Sequence, residues 1–206
     1  CRHAIGRTLA GGWVEEDKLT ASDGAATDLF GMAVAISGDT VVVGAYGRDD
    51  PALDAGVAYV FVRGDAGWTQ QAKLTAASPA ELDRFGQTVA IDGDVVMVAA
   101  PADDALATDS GSVVPFTRSG NTWTRGSALV GQATPAGATL GYAIALSGNT
   151  MLIGAPAATG TGFSGEVFAY VKSGGGWSIE QTLLGPVTGT PNRFGAALGL
   201  HGDIAV

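Results

Sequence analysis

The chain has 206 residues, a formal net charge of −9 from 20 acidic and 11 basic side chains, and 46% hydrophobic residues. So many apolar side chains, with only 15% charged ones, predict a packed core and exclude a disordered protein. The excess of carboxylates repels phosphate and argues against nucleic acid as a partner. No apolar run approaches the roughly 18 to 20 residues that a spanning helix needs, so no membrane-spanning segment is predicted.

The first residue, Cys1, is the single cysteine, and the two histidines, His3 and His201, stand near opposite ends of the chain. No disulfide can form within the chain, and the usual zinc-ligand spacings are absent. Cys1 has three interpretations: a cut made in a longer chain, a lipid-modified mature N-terminus, or an incidental residue. We favour the first, because the sequence lacks an initiator Met and ends inside a repeated motif.

A motif in the first quarter of the chain recurs three more times. "FGMAVAISGDTVVVGA" begins at Phe30, and related stretches begin at Phe85, Leu140 and Phe194. The glycines that follow these residues are 55, 55 and 54 residues apart. The same spacing separates all four tryptophans, which are Trp13, Trp68, Trp123 and Trp177. A fixed period of this length indicates a repeat architecture in which each unit is one supersecondary element.

Each period contains four predicted strands. "GMAVAIS" alternates in hydrophobicity, Gly38-Asp39 forms a tight turn, and "TVVVGA" is apolar on both faces. After a longer loop "GVAYVFVR" alternates again, and "WTQQAKLTA" is the most polar strand, with Trp68, Ala72 and Leu74 expected on one face. No stretch has a helical period. We therefore predict an all-β fold, a β-propeller of about four 55-residue, four-stranded antiparallel blades, rather than a sandwich or a β-helix.

The chain is predicted to be a single propeller domain or part of one. Its repeat units lie near 30–84, 85–139 and 140–193, and residues 194–206 and 1–29 form split or incomplete blades. If residues 13–21 complete the blade that begins at Phe194, the ring closes at four blades. The alternative, which we favour, is an arc of a longer propeller.

The paired motifs "FG" and "GAP", as in Phe85-Gly86 and Gly154-Ala155-Pro156, resemble the FG-GAP repeats of the integrin α-subunit β-propeller and its bacterial relatives. The resemblance covers the chain from Trp13 onward. It implies an extracellular adhesion, ligand-binding or lectin-like module, often one part of a larger surface protein. It also implies a secreted or cell-surface location, in a bacterium.

Many repeats of this family carry a D-x-D-G-x-x-D calcium loop between the first two strands. Here that position holds only short turns such as Ser37-Gly38-Asp39, too short for a cation that takes six to eight oxygens, so no cofactor is predicted there. Acidic residues cluster instead in the loops between strands two and three. They could converge on calcium, or they are solvated carboxylates. The absence of carboxylates from the third such loop, 156–165, favours the second interpretation.

A second family of loops connects successive blades and holds Asp28 and Asp83 just before the FG pairs. Both loop families vary among repeats, and variable loops on a rigid scaffold are common recognition sites. Either they form one face that binds a protein or carbohydrate ligand, or their acids only cap turns. The candidate ligand-binding residues are Asp28, Asp83, Arg48, Asp49, Asp54, Asp103, Asp104 and Asp109. The tryptophans are expected to pack between blades rather than to stack on sugars.

The sequence holds no nucleophile elbow of the G-x-S-x-G type and no phosphate loop, so we expect no catalytic residues and no enzyme activity. The expected function is a non-catalytic extracellular or cell-surface binding and adhesion module. Two alternatives stay open. One is a structural spacer or scaffold segment of a large exported protein, and the other is an accessory propeller attached to a hydrolase.

Overall fold

The computed structural model describes residues 2–7, 12–132, 134–158, 165–186 and 192–206. Cys1 and most of the third strand-two-to-three loop, whose roles were predicted above, lie outside these residues. The described residues form strands and loops, and they include no helix long and apolar enough to cross a membrane.

Three four-stranded antiparallel sheets follow one another along the chain, and each is a simple meander whose neighbours in sequence are hydrogen-bonded neighbours in space. Blade 1 consists of β3 (Val34–Ser37), β4 (Thr40–Ala45), β5 (Val57–Gly64) and β6 (Gly67–Leu74). Blade 2 consists of β7 (Thr88–Asp92), β8 (Val95–Ala100), β9 (Ser112–Ser119) and β10 (Thr122–Arg125). Blade 3 consists of β11 (Ala143–Ser147), β12 (Thr150–Ala155), β13 (Glu166–Ser173) and β14 (Gly176–Leu184).

Two further hairpins flank the blades. The N-terminal hairpin is β1 (Arg2–Arg7) with β2 (Trp13–Leu19), and the C-terminal hairpin is β15 (Leu200–His201) with β16 (Ile204–Ala205). The predicted all-β fold is therefore confirmed, and each complete blade lies within one predicted repeat unit.

The turn between the first two strands of each unit is the two-residue hairpin that the sequence predicts. Ser37 pairs with Thr40, so only Gly38 and Asp39 make the connection. Gly38 has φ 55°, and the equivalent glycines of the other three units have φ between 55° and 57°. Glycine adopts this left-handed conformation without the steric cost of a Cβ, which explains its recurrence.

Apolar packing fills the seams between successive sheets. One cluster, with Leu19, Val43 and Phe61, joins the N-terminal hairpin to blade 1. A second, with Val60, Phe85 and Val96, joins blades 1 and 2, and a third, with Met97 and Ile153, joins blades 2 and 3. The first strands β3, β7, β11 and β15 contact one another in succession. Sheets stacked face to face around a common set of first strands are the blades of a β-propeller.

Burial follows from this stacking. β4 is buried over its whole length, as its apolar sequence predicts. β5 was predicted to alternate between buried and exposed residues, but its first five residues, 57–61, are all buried. The second and third strands of blades 1 and 2 have a packed sheet on either side, so most of their residues are buried.

The fourth strand of blade 1, β6, does not place Trp68, Ala72 and Leu74 on one face as predicted. Trp68 packs in the seam before blade 1, whereas Ala72 and Leu74 pack in the seam after it. A β-bulge causes the difference: Val60 pairs with Ala72 and Phe61 with Gln70, so Gln71 is an extra residue. One extra residue reverses which face the following side chains occupy.

Three tryptophans pack between blades, as expected. Trp68, Trp123 and Trp177 each contact the seam that precedes their own blade. The indole Nε1 of Trp123 also donates a 2.8 Å hydrogen bond to Gln71 of the preceding blade. Trp13 differs, because its side chain is 68% exposed.

The two terminal hairpins are halves of blades. β1–β2 has its irregularity between Ala4 and Ile5, the position that matches the Val60/Phe61 bulge of β5–β6, so it supplies third and fourth strands. β15–β16 has the register of β3–β4, with His201 opposite Ile204, so it supplies first and second strands. Structure thus aligns residues 2–7 with 58–63, a match that sequence comparison does not reveal.

These two halves do not join within one chain. In the described residues β1–β2 and β15–β16 are separate two-stranded sheets. Among the described strands, the pairing that a closed four-bladed ring requires is therefore not formed.

Candidate ligand-binding face

The two variable loop families meet at one end of the propeller, here called the loop face. After blade 1, the backbone N–H groups of Leu82, Arg84 and Phe85 donate to carbonyls of residues 53–55 at 2.8 to 3.0 Å. After blade 2, the backbone N–H groups of residues 137, 139 and 140 donate to the carbonyls of residues 108–110 at 2.7 to 3.1 Å. In blades 1 and 2, the loop between strands two and three is therefore tied to the connection that enters the next blade.

Two of the predicted site residues lie inside these loops. Asp28 is 3% exposed and Asp83 is 6% exposed. Their Oδ2 atoms accept 2.7 Å hydrogen bonds from the backbone N–H groups of Ala25 and Ala80, three residues earlier. Both carboxylates therefore hold the connection between blades in shape.

Arg48 belongs to an ion-paired network at the start of blade 1. Its Nη1 lies 3.1 Å from Asp28 and its Nη2 lies 3.5 Å from Asp23. Asp23 also accepts hydrogen bonds from Lys73 at 2.7 Å and from the Tyr59 hydroxyl at 2.8 Å. The hydrogen bond from Lys73 is the largest cause that lowers the pKa of Asp23 below its ordinary value. Blade 2 has no counterpart, since Asp103 replaces Arg48 and Ala128 replaces Lys73.

Four of the other predicted residues form two equivalent pairs. Asp49 Oδ1 accepts a 2.9 Å hydrogen bond from the N–H of Asp54, and Asp104 Oδ1 accepts one of 2.8 Å from Asp109. Asp54 and Asp109 both have positive φ, 48° and 51°. Asp103, the last predicted residue, accepts a hydrogen bond from the Ser112 hydroxyl. Within the described ranges no group of three or more His, Cys, Asp or Glu side chains is placed to hold a metal ion.

An open groove of about 500 Å³ crosses the loop face between blades 2 and 3. Leu82, Arg84, Pro101, Asp109 and Tyr142 are among the residues that line it. Of the eight predicted residues, Asp109 is the one that borders this groove; Asp83 and Asp103 border a smaller cavity of about 160 Å³. The groove therefore combines apolar side chains with one cation, one carboxylate and one aromatic ring.

Tyr142 and Gln87 give the groove its polar and aromatic character. The Tyr142 ring is 39% exposed and lies 5.5 Å from the guanidinium carbon of Arg193, a cation–π distance. Gln87 also lines the groove, and its buried Oε1 has no hydrogen-bond partner in the described part of the chain. A buried acceptor without a partner is uncommon in folded proteins and can be satisfied by a ligand donor.

Sequence reasoning missed the residues that immediately precede the FG pairs. Leu29, Arg84, Thr139 and Arg193 have φ of 56°, 58°, 57° and 52°. Non-glycine residues rarely adopt this conformation, and it often occurs where a fold positions a side chain for binding. None of the four is Gly or Asn, the residues that usually mark this conformation in a sequence. Their recurrence at the repeat spacing was therefore the single sequence signal for them.

A second cavity, of about 460 Å³, lies between the outer strands of blades 2 and 3. Arg125, Lys172 and Trp177 are among its lining residues. Trp177 therefore both packs in a seam and borders open space.

Burial raises the pKa of Asp83 above its ordinary value of 3.8, so the folded state binds this proton more tightly than the unfolded state. The resulting stability is present below pH 3.8 and is lost as the pH rises through the raised pKa. Asp83→Asn keeps an acceptor for Ala80 without the buried charge. We expect its free energy of unfolding, relative to wild type, to rise between acid and neutral pH in urea titrations.

Asp28→Asn is the matched control from blade 1, because Asp28 accepts the equivalent backbone hydrogen bond but also pairs with Arg48. It should destabilise the protein at neutral pH, since it removes the closer carboxylate from a guanidinium that is 18% exposed. The prediction would be contradicted if the difference in unfolding free energy between Asp83→Asn and wild type did not change with pH.

The radial blades and the shared loop face define the class: a β-propeller repeat protein, and hence a binding or scaffold module. Within that class, residues 13–61 and 68–114 match the FG-GAP repeat family. The chain therefore contains FG-GAP repeats.

One similar solved structure is the crystal structure of the Saccharomyces cerevisiae Sqt1, at 13% sequence identity and a TM-score of 0.48. The match covers 76% of this chain and 36% of that chain, so this chain spans about a third of its length. None of the curated proteins compared with the chain matches it.

Proposed function

We propose that the chain is a non-catalytic binding module that holds a protein or carbohydrate ligand in the groove between blades 2 and 3. The observation that supports this most is the composition of the groove: an exposed Tyr142, with Arg84 and Asp109 beside the apolar side chains of Leu82 and Pro101. Aromatic rings beside a few convergent polar groups are typical of ligand sites.

The local backbone also supports binding. Arg84, Thr139 and Asp109 border the groove and have positive φ, and the N–H of Thr139 donates to the carbonyl of Asp109 at 3.1 Å. Such conformations cost about 1–3 kcal/mol each and persist where the surrounding structure holds them. The groove is therefore preorganised, which reduces the ordering cost of binding.

We further propose an extracellular or cell-surface setting, on the basis of the resemblance to integrin-type and bacterial FG-GAP repeats. The scaffold alternative is supported by the many Ala, Gly and Thr residues in the loops. Binding at the groove is what separates the two functions.

The test is binding of the purified chain to a glycan array and to cell-surface proteins in a pull-down, followed by affinity measurements on each ligand found. The variant Arg84→Ala with Tyr142→Ala should weaken binding by about 100-fold, because central aromatic and Arg contacts usually dominate an interface. Leu29→Ala is the matched control, since Leu29 occupies the repeat position of Arg84 outside this groove.

Equal loss of affinity in the Leu29→Ala control, or full affinity in the double variant, would contradict the groove as the site. No specific ligand on either platform would support the scaffold alternative instead.

A further inference from the structure

The seams before blade 2 and before blade 3 differ between their outer strands. Before blade 2, Gln71 is the bulge residue of β6, and its Oε1 accepts the 2.8 Å hydrogen bond from the Trp123 indole. The amide nitrogen of Gln71 donates a second hydrogen bond, of 3.4 Å, to Asn121 Oδ1 in blade 2. Two polar side chains therefore link the outer strands of blades 1 and 2 and satisfy the indole.

Glycines occupy both of these positions in the next seam. Trp177 is the repeat equivalent of Trp123, and the positions of the two polar side chains hold Gly126 and Gly175. The Trp177 indole donates no hydrogen bond within the described part of the chain. Gly126, Gly175 and Trp177 all line the cavity of about 460 Å³ between blades 2 and 3. The cavity thus opens where the repeat has lost two side chains.

A cation beside Trp177 also lacks the partner that its equivalent has. Lys172 is directly opposite Trp177 across the β13–β14 pair, so the two side chains occupy the same face of the sheet. Arg118 holds this position in blade 2, where it lies 2.7 Å from Asp94. Asn149 replaces that aspartate in blade 3, and Lys172 makes no ion pair with the described residues. Lys172 lines the cavity, which therefore has an unneutralised positive charge at its edge.

Hydroxyl groups complete the polar lining. Thr117 and Thr124 are opposite each other across the β9–β10 pair, and Ser127 follows the end of β10. All three are exposed and line the cavity. Arg125 lines it too, but its guanidinium donates a 3.1 Å hydrogen bond to the Ala76 carbonyl after blade 1. The described lining includes no Asp or Glu, although the chain carries a net charge of −9.

We propose that this cavity is a second ligand site, which takes an acidic sugar unit of a glycan. The hydroxyl groups and the indole N–H bind the hydroxyls of the sugar, and an aromatic side chain also contacts its apolar ring face. The Lys172 ammonium pairs with the carboxylate or sulfate of the sugar in a charge-assisted hydrogen bond.

The lining favours a saccharide over an acidic peptide, because side chains that donate hydrogen bonds outnumber the apolar ones, Pro115 and Leu129. Its volume of about 460 Å³ lies within the range of small-ligand sites, roughly 300–1,000 Å³. The inference goes beyond the groove of the loop face and does not depend on it, since the two sites have no described lining residue in common.

The first test measures binding of the purified chain by calorimetry to a panel of carboxylated and sulfated oligosaccharides. Each is paired with a neutral counterpart in which the carboxylate is reduced or the sulfate removed. At least one acidic oligosaccharide should bind, and its neutral counterpart should bind about 10-fold more weakly or less, since a hydrogen bond to a charged group is lost. Comparison of carboxylated with sulfated members identifies the anion.

Three results of this panel would overturn the proposal. The first is equal affinity for charged and neutral counterparts, and the second is no binding by any member. The third is binding of tetraglutamate alone, which would identify an acidic peptide as the ligand class.

The second test locates the site with variants that are matched between the two seams. Lys172→Gln should lower the affinity for the acidic oligosaccharide to that of its neutral counterpart. Arg118→Gln removes the equivalent cation of blade 2 and should leave the affinity unchanged. Trp177→Phe keeps an aromatic ring in the seam but removes the indole N–H, so it should weaken binding by about 5-fold. Trp123→Phe is its control, and equal losses in both members of either pair would overturn the proposal.

The double variant Arg84→Ala with Tyr142→Ala separates this site from the groove of the loop face. It should bind the acidic oligosaccharide as wild type does, because Arg84 and Tyr142 line the groove. Loss of binding in the double variant, together with full binding by Lys172→Gln, would place the acidic sugar in the groove and overturn the second site.

Discussion

Gly86→Val is expected to destabilise the protein by about 4 kcal/mol or more, which places it among the most damaging single substitutions. Gly86 has φ 90°, and a Cβ at this position would lie 2.3 Å from the carbonyl oxygen of Val57. The substitution therefore adds an unfavourable backbone conformation to a collision with backbone that cannot move aside. Thermal melts should show the midpoint lowered by roughly 10 °C or more.

The same region explains why the sequence repeats "FG" and "GAP". A Cβ on Gly44 would lie 1.9 Å from the carbonyl oxygen of Gly86, and one on Gly154 would lie 1.9 Å from that of Gly195. Gly86 and Gly195, which follow Phe85 and Phe194, thus each contact the second strand of the preceding blade. Gly44 and Gly154 on those strands make room for them.

Asp104→Ala is the control for Gly86→Val, since it removes one exposed hydrogen bond to the Asp109 N–H. It should cost about 1 kcal/mol or less. Equal losses in the two variants would show that the acidic loop has a structural role as large as that of the seam.

Phe85→Ala is expected to cost about 3–5 kcal/mol, because it leaves a cavity in the seam between blades 1 and 2. Phe85 is fully buried, and its ring centroid lies 6.3 Å from that of Phe116 in an edge-on arrangement. Chemical denaturation of the variant measures this loss directly.

Phe85→Leu should cost only about 1 kcal/mol, since a seam filled by a similar apolar volume tolerates the exchange. The protein contains the precedent, because Leu140 occupies this position before blade 3 and is also fully buried. A loss as large as that of Phe85→Ala would mean that the aromatic contact with Phe116, rather than volume, stabilises the seam.

Most of the fold could be predicted from the sequence because its signals are local. The tight turn at Gly38 depends on two residues, and the burial of β4 follows from six consecutive residues that are apolar or small. The period of 55 residues then shows that these local features recur as one unit. None of these inferences requires knowledge of which residues meet across the chain.

The candidate site could be predicted only in part. Sequence placed variable loops on one face, and it identified Asp109, which borders the groove. It also selected Asp28, Asp83 and Arg48, whose contacts prove to be within the loops. An acidic side chain in a loop has the same sequence signature whether it caps a turn or faces a ligand, so the distinction required the hydrogen-bond partners.

Sequence alone determined the blade, its repeat and its turns, since these follow from alternation and from glycines at fixed positions. Tertiary structure alone decided which of the repeated residues are covered. Val34 and Val89 occupy the same repeat position, yet one is 51% and the other 9% exposed. It also placed Arg84 and Tyr142 in one groove. The physical reason is that exposure and grouping depend on the neighbouring blade, and a repeat unit carries no local signal of whether that neighbour is present.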